Sequence, residues 1–431
     1  MKKIIILIFI IQGVLMATII KEINFKGVDI PVIFEEGGFV PIVSIQLVFR
    51  NAGHLSNTKD GLASLSADIL NEGTQKDGSV GYATKLDTHA IKLGSHVGRE
   101  SFVIEVSALK SEFDYAIDRL VELLKDPNYT QEALTHIKNQ KIGWLRQKKS
   151  DFNYIAGTSL REILFRGTPL SHPYDGTLKS VETISLDDIQ SFISSKLGYN
   201  NMIALVGGDI EFKDAQKYLN RLIEIFPKVE LKEIKNIKAS NKKETKEIYE
   251  DTQQAYIFFG SPFDFSYSNR DQHKADIAEY LLGGAGFGSR LMEEIRVKRG
   301  LTYGIYSALK RTKTTSYLSG YMQTKLSTQD EAKKLIQEVV DEFVKNGITQ
   351  QELDDTKKFL LGSEPLRAET LSQRLYRTYN NFYNDRPLDY SIEKLKKIES
   401  VTLEEMNEFI KAHTEIRDLS FSIVTKEEKI K

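Results

Sequence analysis

The chain has 431 residues, a formal net charge of −1, 41% hydrophobic and 28% charged residues, and no cysteine. That length exceeds a single ordinary core and the composition is that of a folded globular protein, so two to four domains are expected. The near-neutral balance argues against a nucleic-acid binder, and the missing cysteines exclude disulfides, thiolate metal sites and cysteine nucleophiles together.

Lys2 and Lys3 precede the apolar run 4–11, followed by Gln12-Gly13 and then Val14-Leu15-Met16-Ala17. A charged start before an apolar stretch too short to span a bilayer reads as an export signal over 1–17, with cleavage expected after Ala17. The remaining sequence holds no apolar run long enough for a transmembrane helix, so an exported, periplasmic chain with no stable membrane anchor is expected.

From there the chain repeats itself. A strand over 44–50 leads to a helix carrying Ala67-Asp68-Ile69-Leu70. Its counterpart is a strand over 256–259 leading to Ala278-Glu279-Tyr280-Leu281. Thr130-Gln131-Glu132-Ala133-Leu134 returns as Thr349-Gln350-Gln351-Glu352-Leu353, 219 residues on. Ile184-Ser185-Leu186-Asp187-Asp188 returns as Val401-Thr402-Leu403-Glu404-Glu405, 217 residues on, each opening a helix with a capping box. The expected domains are 18–228 and 247–431, joined by a Lys- and Glu-rich linker over 229–246. The fold class is α+β: two duplicated α/β-type domains, each a mostly antiparallel sheet with helices packed on one face, forming half of a clamshell.

Two stretches carry chemistry. The helix expected over 61–72 buries Leu62, Leu65, Ile69 and Leu70, and places Ser64, Ala67 and Asp68 at i, i+3 and i+4 on another face. A zinc helix of the form H-x-x-E-H needs its two histidines and its general-base glutamate at those offsets. A lone Asp68 does not hold a catalytic zinc. The second stretch, 287–306, reads as a short amphipathic helix with Phe287, Leu291 and Ile295 on its apolar side and Ser289 as N-cap. It stops at Gly300 and turns directly into a strand over 301–309. Arg296 and Tyr303 would then stand close together, a clamp for a carbonyl or carboxylate.

The segment 60–74, DGLASLSADILNEGT, resembles the zinc-helix region of the pitrilysin/insulinase family of metallopeptidases, which includes the mitochondrial processing peptidase. The family's zinc motif falls on Ser64, Ala67 and Asp68, and all three are wrong. Its third ligand, a glutamate, belongs on the helix over 130–149, yet no glutamate lies between Glu132 and Glu162. The rest of the pattern is similar: His172-Pro173-Tyr174, Asn200-Asn201-Met202 and, in the second half, Gly283-Gly284 through Arg296 and Tyr303, which match the family's R/Y motif.

The resemblance implies that Arg296 and Tyr303 bind substrate peptide and stabilise the oxyanion opposite a zinc held elsewhere. It implies no metal or other cofactor in this chain, a partner subunit supplying H-x-x-E-H and zinc, and a peptide substrate. The alternative is a catalytically inert scaffold or peptide-binding protein of the same fold. A hydrolase built on Ser64 and Asp68 has no histidine near it in sequence.

Overall fold

Alternating apolar and polar residues set the first strands. In Ile42–Arg50, IVSIQLVFR, Val43, Ile45, Leu47 and Phe49 turn inward and Ser44 and Gln46 outward, the period of a half-buried strand. The computed structural model describes residues 18–37, 40–233 and 235–427. The signal expected over 1–17 and the last four residues, 428–431, lie outside the described residues.

The first half holds β1 (Ile19–Phe25), β2 (Val28–Glu36), β3 (Ile42–Arg50), β4 (Lys92–Val97), β5 (Ser101–Leu109) and β6 (Met202–Gly208). They form one sheet in the order β1-β2-β6-β3-β5-β4, antiparallel except for the parallel pair β2 and β6. The second half holds β7 (Thr245–Tyr249), β8 (Gln254–Pro262), β9 (Ile305–Arg311), β10 (Ser316–Lys325) and β11 (Ser420–Thr425), ordered β7-β11-β8-β10-β9. Again one pair, β7 and β11, is parallel. Leaving β1 aside, the two orders are the same, so the sequence repeat is a repeat of topology. The capping boxes at Ser185, Thr349 and Thr402 form as their sequences imply, each hydroxyl accepting the N3 amide while the N3 carboxylate takes the cap amide.

Each sheet buries one face under the helices of its own half, giving two separate cores, one around Phe49, Phe102 and Phe113, the other around Phe259, Phe343 and Ile336. The second face is partly covered too, by a helix exchanged between the halves. Helix Phe152–Phe165 of the first half lies on β8 and β11, with Leu160 and Leu164 packed against Phe258 and Tyr317. Helix Leu371–Tyr383 of the second half lies on β2 and β6, with Leu375 among Ile33, Ile203 and Leu205. The two helices start at 152 and 371, 219 residues apart, the offset of the sequence repeat.

Close approach is built into this exchange. Gly157 lets the Phe258 ring in, since a Cβ there would stand 3.1 Å from it. Between the halves, Arg374 reaches the fully buried Glu35 at 2.6 and 2.8 Å, and Glu100 accepts from Thr314 and from the Tyr383 hydroxyl. The connecting residues follow the same seam. The Ile237 amide donates to the Thr314 carbonyl at 2.6 Å and the Ser240 amide to the Leu164 carbonyl at 2.8 Å. The end of the expected linker is already strand β7.

Candidate functional site

In the second half the arginine-bearing helix is not a regular α-helix. Met292–Val297 is π-helical, with the Lys298 amide donating to the Glu293 carbonyl five residues back at 3.0 Å. Such wide turns are uncommon and cluster at functional places. The period-four stripe read from the sequence holds only in part, because Phe287 lies ahead of this helix in a separate 3-10 turn, Gly286–Gly288, with Ser289 extended between them. Leu291 and Ile295 are fully buried, but Phe287 is 65% exposed. Its ring instead lies under the Arg296 guanidinium, 4.3 Å from the ring centre, a cation–π contact. Glu294 collects Lys298 at 2.5 Å and Arg299 at 2.9 Å. Among the described residues no carboxylate lies within 4.0 Å of Arg296. One cation of this turn therefore remains uncommitted to an anion.

The strand expected from 301 starts at Ile305. Thr302 diverts the chain: its hydroxyl donates to the Gly304 carbonyl at 2.9 Å and accepts the Gly304 amide at 3.1 Å, a local turn that competes with the sheet ladder. Leu301 is tied down by Thr324 at 2.6 Å. Tyr303 thus stands on a turn, 89% exposed. Among the described residues no hydrogen bond joins it to Arg296; the two groups are presented from the same loop–helix junction as separate donors.

In the first half, Ser64, Ala67 and Asp68 lie on helix Leu62–Leu70, which starts from Gly61 at φ +89°. Ser64 and Ala67 are buried, and the Asp68 side chain is 37% exposed. Into this face comes a residue the sequence reading passed over. Lys141, on helix Gln131–Lys148, donates to Ser64 Oγ at 2.7 Å, with Asp68 Oδ2 at 3.3 Å and Asp175 Oδ1 at 3.7 Å. Burial raises the Asp68 pKa, and the Lys141 ammonium pulls it back part of the way.

Around this cluster the Trp144 ring stands 5.8 Å from Lys141 and 5.4 Å from Lys148, edge-on to Tyr154. His54 stacks on Tyr174 at 5.1 Å, and the Arg161 guanidinium lies 4.5 Å from the same ring. Burial holds the His54 imidazole down to about 4, so it is neutral near pH 7.

These residues do not fit a zinc ion. Zinc takes three or four nitrogen, sulfur or carboxylate ligands. Here Asp68 and Asp175 already share one ammonium, and a second cation beside it would be repelled. Among the described residues no group of three His, Cys, Asp or Glu side chains is placed to hold a metal. Other histidines serve locally, His89 with Glu112 at 2.7 Å and His136 with Glu72 at 3.0 Å. The signal for Lys141 was present in the sequence, as a lysine on the very helix expected to carry the third ligand. Nothing in the sequence marked the exchanged helices or the 3-10 turn that takes Phe287 off the helix and under Arg296.

A duplicated sheet-and-helix chain whose metal helix carries a serine, an alanine and an aspartate tied to a lysine is a metallopeptidase fold without the metal site. The chain belongs to the insulinase family of peptidases, family M16. Its residues 32–177 match the insulinase (peptidase family M16) model and residues 183–360 match the peptidase M16 inactive domain. It is 44% identical over 429 residues to the "non-peptidase homolog YmxG" of Helicobacter pylori, covering 99% of each chain.

Among solved structures, the peptidase M16 inactive domain from Pseudomonas fluorescens superposes with a TM-score of 0.86 at 24% identity, covering 95% of this chain and 98% of that one. A protease from Helicobacter pylori gives 0.81 at 15% identity, covering 95% and 100%. At those identities the likeness is one of fold.

Proposed function

We propose that this chain is the zinc-less subunit of an exported, heterodimeric M16 metallopeptidase. A partner chain of the same family would supply H-x-x-E-H and the zinc. This chain would contribute Arg296 and Tyr303 to peptide binding and to the oxyanion formed at the partner's metal. The observation that carries the reading is the contrast between its two halves. The metal face is closed by Lys141, whereas Arg296 has no carboxylate partner among the described residues and Tyr303 is 89% exposed.

A guanidinium resting on an aromatic ring keeps its fork of donors free for a peptide carbonyl or carboxylate. A phenol freely exposed on a turn has its hydroxyl available for oxygen as charge develops there. Export rests on Lys2, Lys3 and the apolar run that follows them, with removal after Ala17 and release to the periplasm; among the described residues no helix is long and apolar enough to cross a membrane.

The test is co-expression with an H-x-x-E-H chain of the family, followed by peptide cleavage. The complex should cleave while this chain alone neither cleaves nor retains zinc on dialysis. Arg296→Ala in the complex should lower kcat about 100-fold or more, the cost of removing one donor to a developing oxyanion. One tightly held zinc per isolated chain, or unchanged turnover with Arg296→Ala, overturns the proposal. The second reading, an inert scaffold or peptide-binding protein, is favoured by the same Lys141 that closes the metal face and would be left standing by that second outcome.

A further inference from the structure

Between the halves, away from both stretches just described, lies a cavity of about 640 Å³. Its floor is the open face of β3 and β5, with Val48 and Val103. One wall is helix Leu371–Tyr383, and the other is the end of β9 with the turn into β10. Along the helix wall Tyr376, Tyr379 and Tyr383 stand in file at the spacing of successive turns, with ring centres 6.2 and 5.6 Å apart. Tyr376 is 61% exposed.

The charges around this space are one-sided. Arg99 and Lys310 line it, and among the described residues neither has a carboxylate within 4.0 Å, though Arg99 lies against the Tyr174 and Tyr317 hydroxyls. Among the described residues the carboxylate in the lining is Glu100, already turned to protein donors: it accepts the Thr314 amide at 3.2 Å, the Thr314 hydroxyl and the Tyr383 hydroxyl. The amides of Asn380 and of Gln46, the latter already donating to Glu105 at 2.9 Å, complete the polar part of the wall. A half-buried cavity with two cations that lack carboxylate partners, the Asn380 amide and an aromatic file is complementary to a carboxylate attached to something with an amide backbone and apolar neighbours. It is a poor match for a nucleic acid. Two cations do not follow a phosphate backbone, and the whole chain carries a net charge of −1.

We infer that this cavity is a binding site for an acidic, extended peptide segment, a glutamate or aspartate carboxylate docking on Arg99 and Lys310 while a neighbouring side chain lies along Tyr376 and Tyr379. The inference rests on the proposed function only in treating the space between the halves as peptide-holding. Its test needs no partner and no cleavage, so the two fail separately. Loss of cleavage with intact peptide binding counts against the peptidase reading alone, and loss of peptide binding counts against this site.

The experiment is fluorescence anisotropy on the full mature chain with a fluorescein-labelled peptide of alternating glutamate and phenylalanine. A lysine-for-glutamate version of the peptide is the control. The glutamate peptide should bind saturably, more weakly as salt rises, and the lysine peptide should not. Lys310→Glu and Arg99→Gln should each weaken binding about tenfold or more, the loss of one hydrogen bond to a charged group. Tyr376→Ala, at an exposed position that leaves the packed face of its helix intact, should weaken it about threefold or more. Equal binding of the lysine peptide, no saturable binding of the glutamate peptide, or unchanged affinity in Lys310→Glu with an unaltered circular dichroism spectrum each overturns the assignment. So does displacement of the bound peptide by an equal concentration of single-stranded oligonucleotide.

Discussion

Replacing Arg374 by alanine isolates the contact that ties the exchanged helix of the second half to the sheet of the first. Glu35 is on β2 with a side chain fully shielded from solvent, and its Oε1 receives Arg374 Nη2 at 2.6 Å and Nε at 2.8 Å. Two unit charges with centres about 4 Å apart attract by roughly 4 kcal/mol at an effective dielectric of about 20. The desolvation of Glu35 offsets much of that, so the intact pair contributes little net. Removing only the arginine leaves a buried carboxylate with the Thr18 hydroxyl as its remaining side-chain partner, a change that costs about 3–5 kcal/mol. Arg374 also donates to the Ala368 and Glu369 carbonyls at 3.0 and 2.7 Å, but water can replace it at the latter, more exposed site.

The measurement is guanidinium unfolding followed by far-ultraviolet circular dichroism, with hydrogen exchange of β2 and β6 amides as the local readout. Arg374→Ala should lower stability by about 3–5 kcal/mol and speed exchange in those strands before β9 and β10. The double variant Glu35→Leu with Arg374→Met should recover most of the loss, because neither charge is then buried alone. A single-variant loss below about 1 kcal/mol, or a double variant no better than the single, would falsify the account of this seam.

Further expectations follow from particular contacts. His54 is held to about 4 by burial, so between its ordinary 6.5 and about 4 the unfolded chain takes up a proton that the folded chain does not. Its contribution is fully present above 6.5 and is lost as pH falls through that window. Denaturation midpoints of His54→Gln should therefore decline less between pH 7 and pH 5 than those of the parent, and parallel declines would refute this. Gly208 sits at φ +123°, where an added Cβ would come 2.0 Å from the Ile42 carbonyl oxygen. Gly208→Ala should cost at least about 3 kcal/mol or abolish soluble expression, and a stable variant would contradict the register of β3 on β6. Thr402→Ala removes the acceptor for the Glu405 amide and should cost about 1 kcal/mol by thermal unfolding. Restoring the metal ligands with Ser64→His, Ala67→Glu and Asp68→His should give little zinc on elemental analysis while Lys141 remains, and more once Lys141→Ala is added. Full loading with Lys141 in place would show that the ammonium does not occupy the metal's space.

Much of this was legible because local signals agreed with one another. The capping boxes at Ser185 and Thr402 fixed helix starts from hydroxyl and carboxylate spacing alone, and the strand over 44–50 formed as β3. The repeat then predicted that both halves share one topology. Where the sequence misled, a non-local or unusual backbone geometry had taken over. The period-four stripe of Phe287, Leu291 and Ile295 assumed one continuous helix, but the chain runs through a separate 3-10 turn, Gly286–Gly288, and an extended Ser289 before that helix begins, so Phe287 left the core for Arg296. The strand expected from 301 yielded to the Thr302 turn. The exchanged helices look like ordinary amphipathic segments, and no sequence period says which of two similar sheets a helix will choose.

The lysine inside the former metal face has a consequence for supply. A zinc site is filled only as far as free metal allows, and it can be emptied by a chelator or captured by a competing ion. Lys141 brings its charge on a covalent stem, so occupancy is complete from the moment the chain folds. This half of the fold is thereby indifferent to metal scarcity, to chelation and to mismetallation.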